Sequence, residues 1–329
     1  MNMNTSLDAK RVSGDALPIV DVTDLCSTDP AKRRAVGAQL RAACADKGFF
    51  YCAGHGIPQG LIDAVFEETR LFFDQPEETK LAYEKSKVSK ANRGYEVLGG
   101  QVLEAGTPPD RKEGYYIGLE LPETDPRVIA GRFNRGPNVW PADLPGFEPT
   151  MAAYFEAMRR LSERLMKGIA LSLDLSEDYF DTFKKDPVAT LRLLHYPPQR
   201  KDAEPDEKGA GAHTDWGALT LLLQDDVGGL QVLDNKSGEW IHADPVPGTF
   251  VVNLGDALAH WTNDLYKSTK HRVVNASGRE RYSVPYFYDG DADYEVVCIP
   301  TCLKPGEEPK YEPITVEGHL MNMYRKSYG

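Results

Sequence analysis

A chain of 329 residues with 41% hydrophobic and 27% charged side chains can bury a substantial core and has the balance of an ordinary globular domain, which excludes general disorder and fibrous repeats. The formal net charge of −12 argues against a nucleic-acid partner, because phosphate binding relies on clustered Lys and Arg that release counterions. No run of about 18 apolar residues is present and the opening MNMNTSLDAKRVSGDALP lacks the apolar stretch of an export signal, so a cytoplasmic protein with no membrane partner is expected.

Residues 1–15 are polar and small and read as a frayed terminus, with order beginning at Leu17-Pro18-Ile19-Val20, a strand. Asp29-Pro30 supplies a cap and first-turn proline for a helix with Val36, Leu40 and Ala43 on one face, stopped by Gly48. Gly48-Phe-Phe-Tyr-Cys-Ala is strand-like, and a second helix follows Pro58 with Leu61, Val65, Leu71 and Phe72 on its apolar face. The stretch from Ser86 to about Gly146, rich in Gly, Pro and charge, reads as long and irregular. A strong amphipathic helix from about Pro149 to Leu173 then carries Tyr154, Phe155, Met158, Leu161, Leu165 and Ile169 as its stripe.

From Ala189 onward the texture changes to short β-branched and aromatic runs broken by Pro, Gly, Asn and Asp: TLRLLHY, LTLLLQ, LQVLD, TFVVNLG, HRVVN, RYSVPYFY and YEVVCI. These suffice for two facing antiparallel sheets or a double-sheet jelly roll, and no solenoid repeat is visible. Five cysteines without a repeating framework (Cys26, Cys44, Cys52, Cys298, Cys302) read as free thiols, with Cys298 and Cys302 as buried small hydrophobes.

The chemistry concentrates in Ala212-His213-Thr214-Asp215-Trp216. On a strand His213 and Asp215 would share one face. With His271 they would form the two-imidazole, one-carboxylate facial triad that leaves positions of Fe(II) open to small molecules. Ten residues later, across an apparent hairpin turned at Asn275 to Gly278, come Arg281 and Ser283, again an i, i+2 pair. A buried guanidinium needs an anion, which a dicarboxylate would supply, although an outward-pointing Arg paired with a protein acid is the ordinary alternative. Asn253 and Asp256 read as backbone-satisfying residues at a strand-to-turn junction. His55, His195, His242, His260 and His319 read as structural.

The series LPIVDVTDL, GFFYCAGHGIP, LFFDQPEETK, LRLLHYPP, GAHTDWGALTLLLQDDVGGLQV, VVNLGDALAHWTND, KSTKHRVV and ERYSVPYFY, in this order, resembles the isopenicillin-N-synthase-like branch of the 2-oxoglutarate/Fe(II)-dependent oxygenases. The resemblance implies a mainly β fold with flanking helices. A double-stranded β-helix (jelly-roll) core would be backed by N-terminal helices, as one oxygenase domain made of a helix-rich region 1–175 and a core 176–329. It implies His213, Asp215 and His271 as iron ligands. Arg281, Ser283 and Tyr196 would grip the distal carboxylate of 2-oxoglutarate. The implied reaction is an Fe(II)-, 2-oxoglutarate- and O2-dependent oxidation, most simply a hydroxylation, of a small polar metabolite such as an amino acid or nucleobase, with release of succinate and CO2. Rival readings are a 2-oxoglutarate-independent Fe(II) oxidase of the same fold and a zinc-dependent or non-catalytic metal-binding jelly roll. Glu113, Tyr116 and Phe287 are expected to meet substrate, with Trp261 and Leu221 as further water-excluding walls or as core.

Overall fold

The computed structural model describes residues 7, 9–10, 17–200, 202–204 and 206–328; most of the expected frayed terminus lies outside them. Strand β1 (Ile19–Asp21) leads to α1 (Pro30–Asp46), where the Asp29 carboxylate accepts a hydrogen bond from the Ala31 amide at 2.8 Å and Pro30 sits where a missing N–H costs nothing. At Gly48 a φ of +67° reverses the chain into β2 (Phe49–Ala53), and a Cβ there would meet the Lys267 carbonyl oxygen at 1.9 Å. Helix α2 (Gln59–Phe73) buries Ile62, Val65, Thr69, Phe72 and Phe73. Leu71, expected on that face, is exposed, because a stripe running 65, 69, 72 leaves position 71 well over a right angle away round the helix.

The segment expected to be irregular holds more structure than its composition suggests. After α3 (Glu77–Leu81), which precedes it, the segment begins within α4 (Lys85–Val88) and contains β3 (Gly94–Glu96), β4 (Glu113–Gly118) and the short α5 (Pro126–Ile129). All six residues of β4 are buried, so covered on both faces it shows no alternation in sequence. Helix α6 (Phe147–Ser172) buries the expected stripe against the sheet.

The rest is built from β5 (Pro187–Tyr196), β6 (Ala210–His213), β7 (Leu219–Gln224), β8 (Leu230–Asp234), β9 (Glu239–His242) and β10 (Phe250–Leu254). After α7 (Asp256–Trp261) come β11 (His271–Val273) and β12 (Arg281–Asp291), and the chain closes with β13 (Glu295–Val296), β14 (Ile314–Thr315) and α8 (Val316–Tyr328). One sheet has the order β1-β2-β10-β7-β12-β5-β4-β3 and faces a smaller sheet β6-β11-β8-β9. This is the jelly-roll core with flanking helices. The larger sheet draws strands from both halves of the chain, since β10 pairs with β2 and β5 with β4.

Two layers of apolar contacts follow from the period of two along each strand. Tyr282, Val284, Tyr286 and Tyr288 of β12 pack toward the helices with Leu219, Leu221 and Leu223 of β7. The opposite parity, carrying Arg281, Ser283, Pro285 and Phe287, faces the interior between the sheets. The expected β11–β12 hairpin does not form: β11 pairs with β6 and β8, whereas β12 pairs with β5 and β7. The Asn275–Gly278 turn therefore carries the chain from one sheet to the other, which a turn signal alone does not reveal. All five cysteines are free, Cys44 and Cys52 buried and Cys298 and Cys302 only half-buried. No helix among the described residues is long and apolar enough to cross a membrane.

Candidate metal centre and substrate cavity

His213 is the last residue of β6, and Asp215 lies past the strand in the turn that follows, so the two are not on one strand face as expected. His271 opens β11 and stands opposite His213 in the antiparallel register. Each residue offers a ligand atom, all within 4.8 Å of one another, and the Asp215 Oδ1 lies 3.8 and 3.7 Å from Nε2 of His213 and His271.

The surroundings hold these atoms inward. Asp215 Oδ2 accepts hydrogen bonds from Thr220 Oγ1 at 2.6 Å and Asn253 Nδ2 at 2.7 Å, which leaves Oδ1 toward the imidazoles. Nδ1 of His213 donates to the Gly211 carbonyl and Nδ1 of His271 to the Thr269 carbonyl, so each Nε2 carries its lone pair into the centre. Burial, with the His271 imidazole beside it, holds His213 well below its ordinary pKa and hence neutral. Burial opposes ionisation of Asp215, but the two imidazoles and the Asn253 and Thr220 hydrogen bonds outweigh it and keep the carboxyl below the usual range. Two imidazoles and one carboxylate facing a common point fit a divalent first-row metal such as Fe(II). Asn253 thus anchors the Asp215 carboxylate rather than merely satisfying backbone. Asp256 braces the same turn, its amide bonding the Asp215 carbonyl and its carboxylate accepting from Thr214.

Behind the centre, an inner cavity of about 60 Å³ is lined by Tyr196, Leu222, Val273, Arg281 and Ser283. The Arg281 guanidinium is fully buried; Nε donates to the Gly228 carbonyl, Nη1 to Ser283 Oγ at 3.2 Å, and the Tyr196 ring lies 4.7 Å away. The nearby Asp225 carboxylate is spent on the amides of Val227 and Tyr282. Among the described residues no carboxylate pairs with Arg281.

In front, an outer cavity of about 130 Å³ includes Trp216, Phe287, Tyr116, Arg192, Asn92 and Asp289 in its walls. Phe287 lines both cavities and Tyr116 the outer one. Glu113 does not reach either: it shares the parity of Tyr115 and Ile117, faces the helices, and is held by Lys80 at 2.7 Å, by Tyr95 and by His195. Trp261 and Leu221 are likewise core, Trp261 packing among Phe180, Phe183 and Tyr294. Sequence reasoning missed Thr220, Arg192 and Asp289. Counting by twos from Tyr196 reaches Arg192, and from Ser283 it reaches Phe287 and Asp289.

Residues 17–143 match the family described as non-haem dioxygenase in morphine synthesis N-terminal, and residues 187–290 the 2OG-Fe(II) oxygenase superfamily. The chain is 48% identical over 320 residues to the 2-oxoglutarate-Fe(II) type oxidoreductase hxnY of Emericella nidulans, covering 95% of this chain and 91% of that protein. It is 38% identical to clavatol oxidase claD of Penicillium crustosum, covering 95% and 96% of the two chains. The crystal structure of a full-length Neurospora crassa protein in complex with alpha-KG and thymine superimposes with a TM-score of 0.82 at 33% identity, covering 96% and 99%. Likeness of this strength along almost the whole chain, over a fold that gathers two imidazoles and a carboxylate between its sheets, makes the protein an Fe(II)- and 2-oxoglutarate-dependent oxygenase of the isopenicillin-N-synthase-like branch of that superfamily.

Proposed function

We propose that His213, Asp215 and His271 hold the iron. Arg281, Ser283 and Tyr196 seat the distal carboxylate of 2-oxoglutarate, and the outer cavity presents a small, flat, polar metabolite for hydroxylation. The observation that carries this reading is the buried Arg281 guanidinium, which meets no protein carboxylate among the described residues. A charge removed from water at that depth is tolerated when an anion completes it, and the inner cavity runs from Arg281 and Ser283 to His213, Asp215 and His271, the span a short dicarboxylate would bridge.

When bound, Fe(II) with 2-oxoglutarate and O2 supplies the oxidising power, with succinate and CO2 as co-products. The chain's own tasks are positioning and exclusion. Ser283 and the Gly228 carbonyl fix the guanidinium plane for paired hydrogen bonds. Thr220 and Asn253 fix Asp215, while Phe287 separates the two cavities and Trp216 walls the outer one. Those flat walls, with Arg192 and Asn92 between them, support a planar polar compound of nucleobase size more than a flexible amino acid, and thymine is the compound seen with the Neurospora relative. Residues 1–175 and 176–329 would then act as one domain, a reading supported by strands from both in one sheet.

The test is anaerobic loading with Fe(II), followed by O2 and 2-oxoglutarate with succinate as readout. Stoichiometric succinate and CO2 support the reading. Oxidation of an added compound without 2-oxoglutarate consumption would replace it by the oxidase reading, and hydrolysis with Zn(II) by the metallohydrolase one.

A further inference from the structure

Asp289 sits at the irregularity of β12 between Tyr288 and Gly290, two residues beyond Phe287, and lines the outer cavity, so one strand carries both the Arg281-Ser283 pair and a carboxyl group of that cavity. Asp289 is 8% exposed and lines the outer cavity. Its carboxylate lies against the turn after Asp215: a Cβ added to Gly217 would sit 1.6 Å from Asp289 Oδ1, so only glycine there leaves the carboxylate room. Among the described residues it has no hydrogen-bond or ion-pair partner.

The cations nearby belong to other acids. Arg132 is held by Asp293 and Glu317, Arg135 reaches Asp186, and Arg192 meets Glu96 at 3.1 Å. The Thr190 hydroxyl accepts from Asn134 Nδ2 at 2.8 Å and makes no bond to Asp289. The Asp289 oxygens open onto the cavity rather than being sealed in protein, so the donor that meets them arrives with water or with an occupant that displaces it, and an occupant lacking a donor loses what the water supplied.

We propose that Asp289 is the specificity-determining acceptor of this enzyme, selecting substrates that bring a nitrogen-bound hydrogen, either a ring N–H or an amine, to the cavity end nearest the Asp215–Gly217 turn. This rests on the outer cavity being the substrate site, and it adds the substrate class: a small nitrogen compound oriented by its N–H, with its oxidisable carbon toward the metal centre. The Trp216 and Phe287 walls favour a planar ring in that place. An analogue of the same shape with ring oxygen in place of N–H would leave Asp289 unmet and be rejected, as would an N-methyl derivative, since buried polar groups reject partners that lack the matching donor.

The experiment uses the full chain with Fe(II), 2-oxoglutarate and O2. Probes are thymine, other N–H heterocycles and small cyclic amines, each paired with its isostere bearing ring oxygen in place of N–H and with its N-methyl derivative, scored by succinate above the substrate-independent rate and by gain of one oxygen atom in the compound. The wild type is expected to prefer N–H members over their isosteres by roughly 10- to 100-fold in kcat/KM, mainly through KM. In Asp289→Ala that preference should collapse toward unity. In Asp289→Asn, which keeps an acceptor oxygen and the shape, a neutral N–H should retain part of the preference and an ammonium should lose it. A ratio unchanged in both variants overturns the proposal, as does preference for N-methyl members or the failure of every N–H compound to raise succinate. If no succinate forms under any condition, the cofactor reading beneath it fails, and this proposal with it.

Discussion

Replacing Arg281 by Gln should weaken 2-oxoglutarate binding while leaving the metal-free fold nearly as stable as before. The wild-type guanidinium is fully buried and offers Nη1 and Nη2 into the inner cavity, where Ser283 and Gln224 are its neighbours at 3.2 and 3.5 Å. Charge-assisted hydrogen bonds contribute about 1.5 to 3 kcal/mol, so the Kd and KM for 2-oxoglutarate should rise roughly 10- to 100-fold. The stability of the ligand-free protein should change little, because the lost Gly228 and Tyr196 contacts are offset by removal of a buried charge that no carboxylate pairs directly among the described residues. Thermal unfolding with Fe(II) under argon, with and without 2-oxoglutarate, measures both effects. At 100 times the wild-type Kd the ligand should stabilise wild type by about 2.7 kcal/mol, and a variant bound about 30-fold more weakly by only about 0.9 kcal/mol. An unchanged ligand-induced shift, or a variant that unfolds without ligand several degrees earlier, would show that Arg281 serves the fold or the substrate and not the co-substrate.

Ser283→Ala removes one neutral hydroxyl and should raise the 2-oxoglutarate KM by only about 3- to 10-fold in steady-state kinetics. His213→Ala, Asp215→Ala and His271→Ala should each abolish turnover and equilibrium iron binding with near-native far-UV circular dichroism, since the three ligands act as a unit; wild-type turnover in any one removes that residue from the set. Glu113→Ala leaves the buried Lys80 unpaired and should cost about 2 to 4 kcal/mol in denaturant unfolding, with KM values of the folded enzyme unchanged; a rise in substrate KM alone would restore its role in binding. Burial, with Asp215 nearby, raises Asp289 from 3.8 to about 7. A carboxyl raised on folding favours the fold below its unfolded pKa and loses that contribution as pH climbs through the folded value. Metal-free Asp289→Asn should therefore gain on wild type between about pH 4 and 7. The rise corresponds at most to about 4 kcal/mol, and cavity water should reduce it to something of the order of 1 to 2 kcal/mol. A stability gap independent of pH would refute that assignment.

The local and linear features were legible in the sequence by itself. Asp29-Pro30 and Gly48 bound the first helix because capping and positive φ depend on neighbours in the chain. The stripe from Tyr154 to Ile169 and the alternation in RYSVPYFY are periodicities that burial imposes on one element at a time. The His213-Asp215 and Arg281-Ser283 pairs stand out in the sequence because each is two residues apart and the motifs around them run in a distinctive order, although only the second pair lies along one strand.

What the tertiary structure decided depends on which element lies across from which. Glu113 and Tyr116 are three residues apart on β4, so one faces Lys80 and the other the cavity, and only pairing with β5 tells which. The Asn275–Gly278 turn looked like a hairpin but joins strands of two sheets, because chain neighbours need not be sheet neighbours in a jelly roll. Asn253 reaches Asp215 from 38 residues away, and Asp289 reaches Gly217 across the sheet from β12. Such contacts have no sequence signature, because the burial that makes them consequential exists only after both sheets have closed over the centre.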